Sequence, residues 1–141
     1  SKGKGENNIK SAMLASWVSQ ASFSPPGLSI AVAKDRAVES LLQKGDTFAL
    51  NILSSNNLKE PLKRFSKPFA PGENRFSGLE TEETPNGQII IPDSLAWLDA
   101  TVRERMECGD HWVIYAEVNY GNVIRKDELT AVHHRKSGSN Y

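Results

Sequence analysis

The densest mixture of polar and apolar groups in the chain is LASWVSQASFSPP, residues 14–26, which carries Ser16, Ser19, Gln20, Ser22 and Ser24. Hydroxyls and a free amide gathered at a strand end suit a phosphate, or a flat heterocycle with alternating donors and acceptors. Further on, AVAKDR sets Lys34 and Arg36 where the next apolar run ends. One or both could neutralise a phosphate, helped by the N-terminus of a helix over residues 36–43. The same serines would also satisfy a tight turn, with the two cations solvated. His111 is the third candidate: it follows Gly109 and Asp110, opens an apolar run and stands beside Trp112, at a strand mouth where ligands collect. Its position alone favours a structural histidine.

Other chemistries find little support. No GxSxG elbow accompanies the serines, as an α/β-hydrolase triad would need. His133 and His134 are adjacent, so on a strand they point to opposite faces and make poor joint metal ligands. One Cys and three His cannot build the usual zinc frameworks, and one thiol closes no intramolecular disulfide. Cys108 has only Arg105 close in sequence to lower its pKa, which reads as filler rather than nucleophile. The nearest thing to GxGxxG, GKGENN at residues 3–8, precedes no apolar helix.

The elements that must position these residues read mostly as strands. Residues 11–20 alternate Met13, Ala15 and Trp17 against Ala12, Leu14 and Val18, a two-residue period with apolar groups on both sides, which predicts a strand covered on both faces. Pro25, Pro26 and Gly27 end it, and residues 28–33 form a second strand. Asp35 then caps a helix over residues 36–43 with Gly45 beyond its end, and residues 47–53 return to a strand. Asn57 with Glu60 forms a capping box for a two-turn helix ending at Phe65, with Pro61 in its first turn. KPFAPGENRFSG is an ordered loop pinned by Phe69 and Phe76, and Asn86 and Gly87 make a hairpin turn. Residues 94–107 fit a helix through Leu95, Leu98 and Val102, but Arg103, Arg105 and Glu107 alternate with Val102, Glu104 and Met106, which favours a strand; strands follow over residues 111–118 and 129–133, with a turn at Gly121 and Asn122. Six or seven strands and two short helices, without βαβ alternation, give a mainly β chain: an antiparallel barrel with small helical insertions.

The totals fit that architecture. A chain of 141 residues makes one domain with a real core. Seventeen Lys and Arg against 17 Asp and Glu leave no surplus of positive charge for phosphate backbones, which argues against a nucleic-acid binder. No apolar run is long enough for a membrane span and the first residues hold no apolar leader segment, so a cytoplasmic domain is expected.

SWVSQASFSPPGLSIAVAKDRAVESLLQKGDTFALNIL, KPFAPGENRF and MECGDHWVIYAEV together resemble the flavin reductase-like domain, an FMN-binding split barrel, in the form found at the C-terminus of cyanobacterial flavodiiron proteins. The resemblance covers residues 11–141 and implies a split β-barrel that forms a homodimer, binds FMN near the interface and passes hydride from NADH or NADPH to the flavin. By position it implies that Ala15, Ser16, Trp17 and Val18, with the turn at Gln20, Ala21 and Ser22, line the isoalloxazine and ribityl chain. Lys34 and Ser40 would stand at the phosphate, Asn51 near the cofactor, and His111 of GDH beside flavin and nicotinamide as the catalytic residue. It further implies onward electron flow to flavodoxin-like and diiron domains that reduce dioxygen to water, and a fragment lacking the family's first helix and strand. A flavin-holding or docking module without turnover is the alternative.

Overall fold

The computed structural model describes residues 10–66 and 73–131. Its elements are β1 (Val18–Phe23), β2 (Pro26–Ala33), a 3-10 helix (Ala37–Leu41), β3 (Thr47–Ile52), α1 (Lys59–Phe65), β4 (Glu82–Glu83), β5 (Ile89–Ile90), β6 (Ala96–Cys108) and β7 (His111–Val123). Five strands form one antiparallel sheet in the order β1-β2-β7-β6-β3, and β4 and β5 form a separate hairpin.

The long strands follow from period-two burial. Leu28, Ile30 and Val32 of β2, Ala100 and Val102 of β6, and Ile114 and Ala116 of β7 turn the same way and are buried. Phe48 of β3 joins them, and Val18 of β1 and Leu50 of β3 pack against the same cluster. Side chains from both edge strands therefore meet in one core, which requires the sheet to curl on itself. β6 and β7 are joined by a two-residue turn in which Gly109 adopts φ 58°, a left-handed conformation that favours glycine. That turn fixes His111 as the first residue of β7, opposite Cys108.

Several expectations are corrected here. Residues 11–17 are not a laddered strand; β1 starts at Val18 and runs on to Phe23. The alternation was nevertheless real, because Met13 and Ala15 pack on the sheet core while Ala12 and Leu14 pack on a second cluster. Pro26 lies inside β2, opposite Phe23 across a two-residue connection containing a cis Ser24–Pro25 bond. Asp35 caps nothing: the helix shrinks to five residues, with Arg36 extended ahead of it. Val38 and Leu41 face the core three residues apart, the spacing a 3-10 turn presents on one side.

Asn57 is no helix cap either, since Leu58 precedes α1 and the Asn57 Oδ1 accepts from the Ser54 amide at 3.1 Å. Gly121 and Asn122 do not turn; β7 continues to Val123, and a Cβ on Gly121 would sit 2.8 Å from Leu98 Cδ2, so glycine lets the two strands close up. The turn at Asn86 and Gly87 joins β4 to β5, as the sequence suggests, with Gly87 at φ 72°. Of the expected last strand, the described residues 129–131 form a bridge between Ser54 and Thr130; Val132, His133 and His134, like Phe69, fall outside the described residues. Among the described residues no helix is long and apolar enough to cross a membrane.

Candidate functional site

The second hydrophobic cluster is built from Phe65 of α1, Phe76 and Ile89, with Ala12, Leu14, Leu79 and Ile91 against it. Between this cluster and the curled sheet runs a cleft of about 990 Å³. Small-molecule sites span roughly 300–1,000 Å³, so a tricyclic ligand with a polar tail fits comfortably. The residues 11–17 form the seam of the cleft, since their alternate side chains serve its two sides.

Eight of the residues singled out from sequence lie on the lining: Ala15, Ser16, Trp17, Val18, Gln20, Ser22, Asn51 and His111. They come from the seam, from β1, from β3 and from the start of β7: the sheet order sets β1 and β7 on either side of β2, and the curl of the sheet brings its other edge strand, β3, round to them. The Trp17 ring lies 5.1 Å from that of His111, tilted by 37°. The His111 Nδ1 is 2.8 Å from Asp110 Oδ1. This hydrogen bond, and then the His111 charge, hold the exposed Asp110 carboxyl below its ordinary pKa. A carboxylate at Nδ1 orients the ring and turns its Nε2 edge the other way.

Three others stand apart from the lining. Ala21 is the exposed residue at the irregularity in β1, where the register slips between Gln20 and Ser22. Lys34 is paired with Glu107 and lies 5.4 Å from the Trp112 ring centre. Ser40 donates to the Ala37 carbonyl at 3.0 Å.

Asn51 borders the cleft, yet its side-chain amide is engaged elsewhere. Its Nδ2 donates to the Ile89 carbonyl at 3.0 Å, and its Oδ1 accepts from the Ile91 amide at 2.8 Å.

Two guanidiniums also reach the lining, Arg36 and Arg75. Arg75 donates to the Ala12 carbonyl at the seam. Its pKa lies below the ordinary arginine value, chiefly through burial and next through the charge of Arg36, with Glu73 opposing. Both cations thus stand on one lining, with Asp35 Oδ1 3.7 Å from the Arg36 Nε. The sequence marks Arg36 as a candidate but not Arg75, whose loop reads as a device for burying Phe69 and Phe76. The overlooked signal is adjacency: Phe76 is buried, and an anchor of that kind carries its neighbour Arg75 to the cleft. Among the described residues no group of three or more His, Cys, Asp or Glu could hold a metal ion.

The sequence profile described as the flavin reductase like domain matches residues 1–139. Diflavin flavoprotein A 1 of Synechocystis sp. is 56% identical over 138 residues, covering 98% of this chain and 24% of that protein. The chain thus spans about a quarter of the length of that relative. Among solved structures, the NADH:FAD oxidoreductase SgcE6 of Streptomyces globisporus C-1027 superposes with a TM-score of 0.76 at 24% identity, over 84% of this chain and 70% of the other. BorF, the flavin reductase component of a bacterial two-component tryptophan halogenase, gives a TM-score of 0.75 at 20% identity, over 92% of this chain and 81% of the other. The curled antiparallel sheet is therefore the split barrel of flavin reductases.

Proposed function

The chain belongs to the flavin reductase like domain family, and from that premise we propose that it is an FMN-binding NAD(P)H:flavin oxidoreductase domain. The observation that carries this reading is the cleft itself: apolar walls from two clusters, with two guanidiniums and a carboxylate-held histidine on one lining. Arg36 and Arg75 would bind the phosphate, Ser16, Gln20 and Ser22 would hydrogen-bond the ribityl chain or ring edge, and the apolar walls would exclude water from the ring. Lys34, on the same β2-to-3-10 connection as Arg36, and Ser40, in the 3-10 helix that follows, remain candidates for the phosphate end though engaged by Glu107 and Ala37. Ala15, Trp17, Val18 and Ala21 supply the seam and the β1 irregularity that shape this wall.

When bound, the flavin supplies hydride acceptance from a nicotinamide and release of electrons to a further acceptor. His111 and Trp17 would hold the nicotinamide against it, His111 as the catalytic residue, with Asp110 fixing which imidazole nitrogen carries the proton. In a parent chain some four times longer, consistent with the 24% share of Diflavin flavoprotein A 1, we place this unit at the C-terminus. It would be a cytoplasmic homodimer feeding flavodoxin-like and diiron domains that reduce dioxygen to water.

The test is anaerobic mixing of the FMN-loaded domain with NADPH and with NADH. Bleaching of the flavin absorbance is expected with at least one of them. No bleaching with either, while FMN is retained, makes the domain a flavin-holding module instead. Arg75→Ala should weaken FMN roughly 10- to 100-fold, as loss of a charge-assisted hydrogen bond implies, and weaken riboflavin, which lacks the phosphate, by much less.

A further inference from the structure

The β4–β5 hairpin is joined to the sheet through side chains at three places, two of them by more than one bond. At the first, the Asn51 carboxamide donates to the carbonyl of Ile89 and accepts from the amide of Ile91. A carboxamide carries the same donor and acceptor pair as a peptide unit, so Asn51 does for the hairpin what a neighbouring strand's backbone would do. At the second, Asp99 of β6, fully buried, accepts from Thr84 Oγ1 and, at 2.8 Å, from Asn86 Nδ2. Asn119 of β7 adds a bond to the same carboxylate at 3.1 Å. Gln88 Nε2 donates to Thr47 Oγ1 at 2.9 Å between the two clasps.

What the hairpin carries is part of the cleft. Ile89 and Ile91 stand on its lining, whereas Thr84, Asn86 and Asp99 do not. We propose that Asn51 and Asp99 are positioning residues: two side-chain clasps hold the β4–β5 hairpin on the sheet and so set the cleft wall at Ile89 and Ile91, with Asn51 acting on the ligand through the hairpin. This inference rests on the flavin reading of the cleft. It differs from the expectation drawn from the family resemblance, in which Asn51 serves the cofactor from its own position.

The proposal makes the two clasps interdependent although they sit on different strands. Asn51→Ala should speed hydrogen exchange of the Ile91 amide in the flavin-free protein about tenfold and weaken FMN by a similar factor, the worth of one or two hydrogen bonds. The vibronic structure of the bound flavin's absorption band should broaden with it. Asn86→Ala, away from the cleft, should weaken FMN about threefold, and the double variant should fall short of the product, because both clasps act on one hairpin. Thr84→Val provides a second substitution at the Asp99 clasp should Asn86→Ala disturb the turn.

If Asn51→Ala weakens FMN while the Ile91 amide keeps its protection, Asn51 is a direct ligand and the proposal fails. It fails as well if Asn86→Ala loosens the hairpin by exchange and leaves FMN affinity unchanged. A wild-type protein that takes up no FMN overturns the flavin reading instead, and exchange in the flavin-free variants still decides whether the clasps exist.

Discussion

In the five-stranded sheet the chain is fastened to itself by backbone ladders, whereas the layer that covers it is fastened by side chains and by three buried aromatic and aliphatic anchors. The ladder between β6 and β7 runs from Ala96 to Cys108 with only two irregularities. Over the sheet, Arg75 holds the seam, Asn51 and Asp99 hold the hairpin, and Phe65, Phe76 and Ile89 form the only cluster beneath them among the described residues. The cleft lies between a region whose geometry is over-determined and one whose geometry depends on a few contacts. Such a division suits a binding site: one wall is fixed, and the other can be tuned by single residues without risk to the fold.

Substitutions in the two regions should therefore behave differently. Ile114→Ala, at a fully buried position of β7, should cost about 2–5 kcal/mol in urea unfolding and lower the stability of the whole domain. Phe76→Ala in the covering layer should cost less globally, about 2 kcal/mol, because that layer can open while the sheet stays folded, yet weaken FMN at least about tenfold. If the two variants lose FMN only in proportion to stability, the division between the regions is wrong.

A smaller effect separates them by pH. Glu128 lies below the ordinary carboxylate pKa, first because Ser54 hydrogen-bonds to it, with Arg125 and Asn56 adding to this and burial opposing. A depressed folded-state value means the stabilisation is complete above the unfolded carboxyl's pKa and is lost as pH falls through the folded value. Glu128→Gln should match wild type in acid and be slightly less stable near neutrality, read as a difference between two Tm-against-pH curves. The effect should stay in the segment from Glu128 to Ala131, whose backbone bonds to Leu53 and Ser55 tie it to the end of β3. Equal pH dependence in the two proteins would remove this latch from the account.

The same contrast explains what was legible in the sequence. Strand β2 and the start of β7 announce themselves because burial alternates along a ladder, β6 is less plain because its leucines also fit a helix, and the turns at Asn86–Gly87 and Gly109 need residues that few others can replace. The covering layer is harder to read. Residues 11–17 carry a strand's alternation without a ladder, because two different clusters rather than two faces of a sheet receive their side chains. Asn57 and Asp35 have the composition of helix caps, but local alternatives won: the Asn57 carbonyl oxygen turned back to Ser54, and Arg36 adopted an extended backbone. At the cleft, His111, Trp17 and the serines could be found from sequence order. Arg75 and the double grip of Asn51 could not, since their partners lie 63 residues away at Ala12 and 38 residues away at Ile89.

The balanced composition of the chain also takes on a spatial meaning along β6 and its surroundings. Arg103 meets Glu117, Glu104 meets Lys44, Arg105 meets Glu39 and lies 4.4 Å from the Trp112 ring centre, and Glu107 meets Lys34. Each sign is cancelled within one side-chain length by a partner from another element, so neutrality here is a local property rather than a sum over distant patches. Beyond about 10 Å, the screening distance at moderate ionic strength, these pairs look uncharged. A macromolecule approaching that side would be neither steered nor repelled from afar, and would have to recognise it by touch.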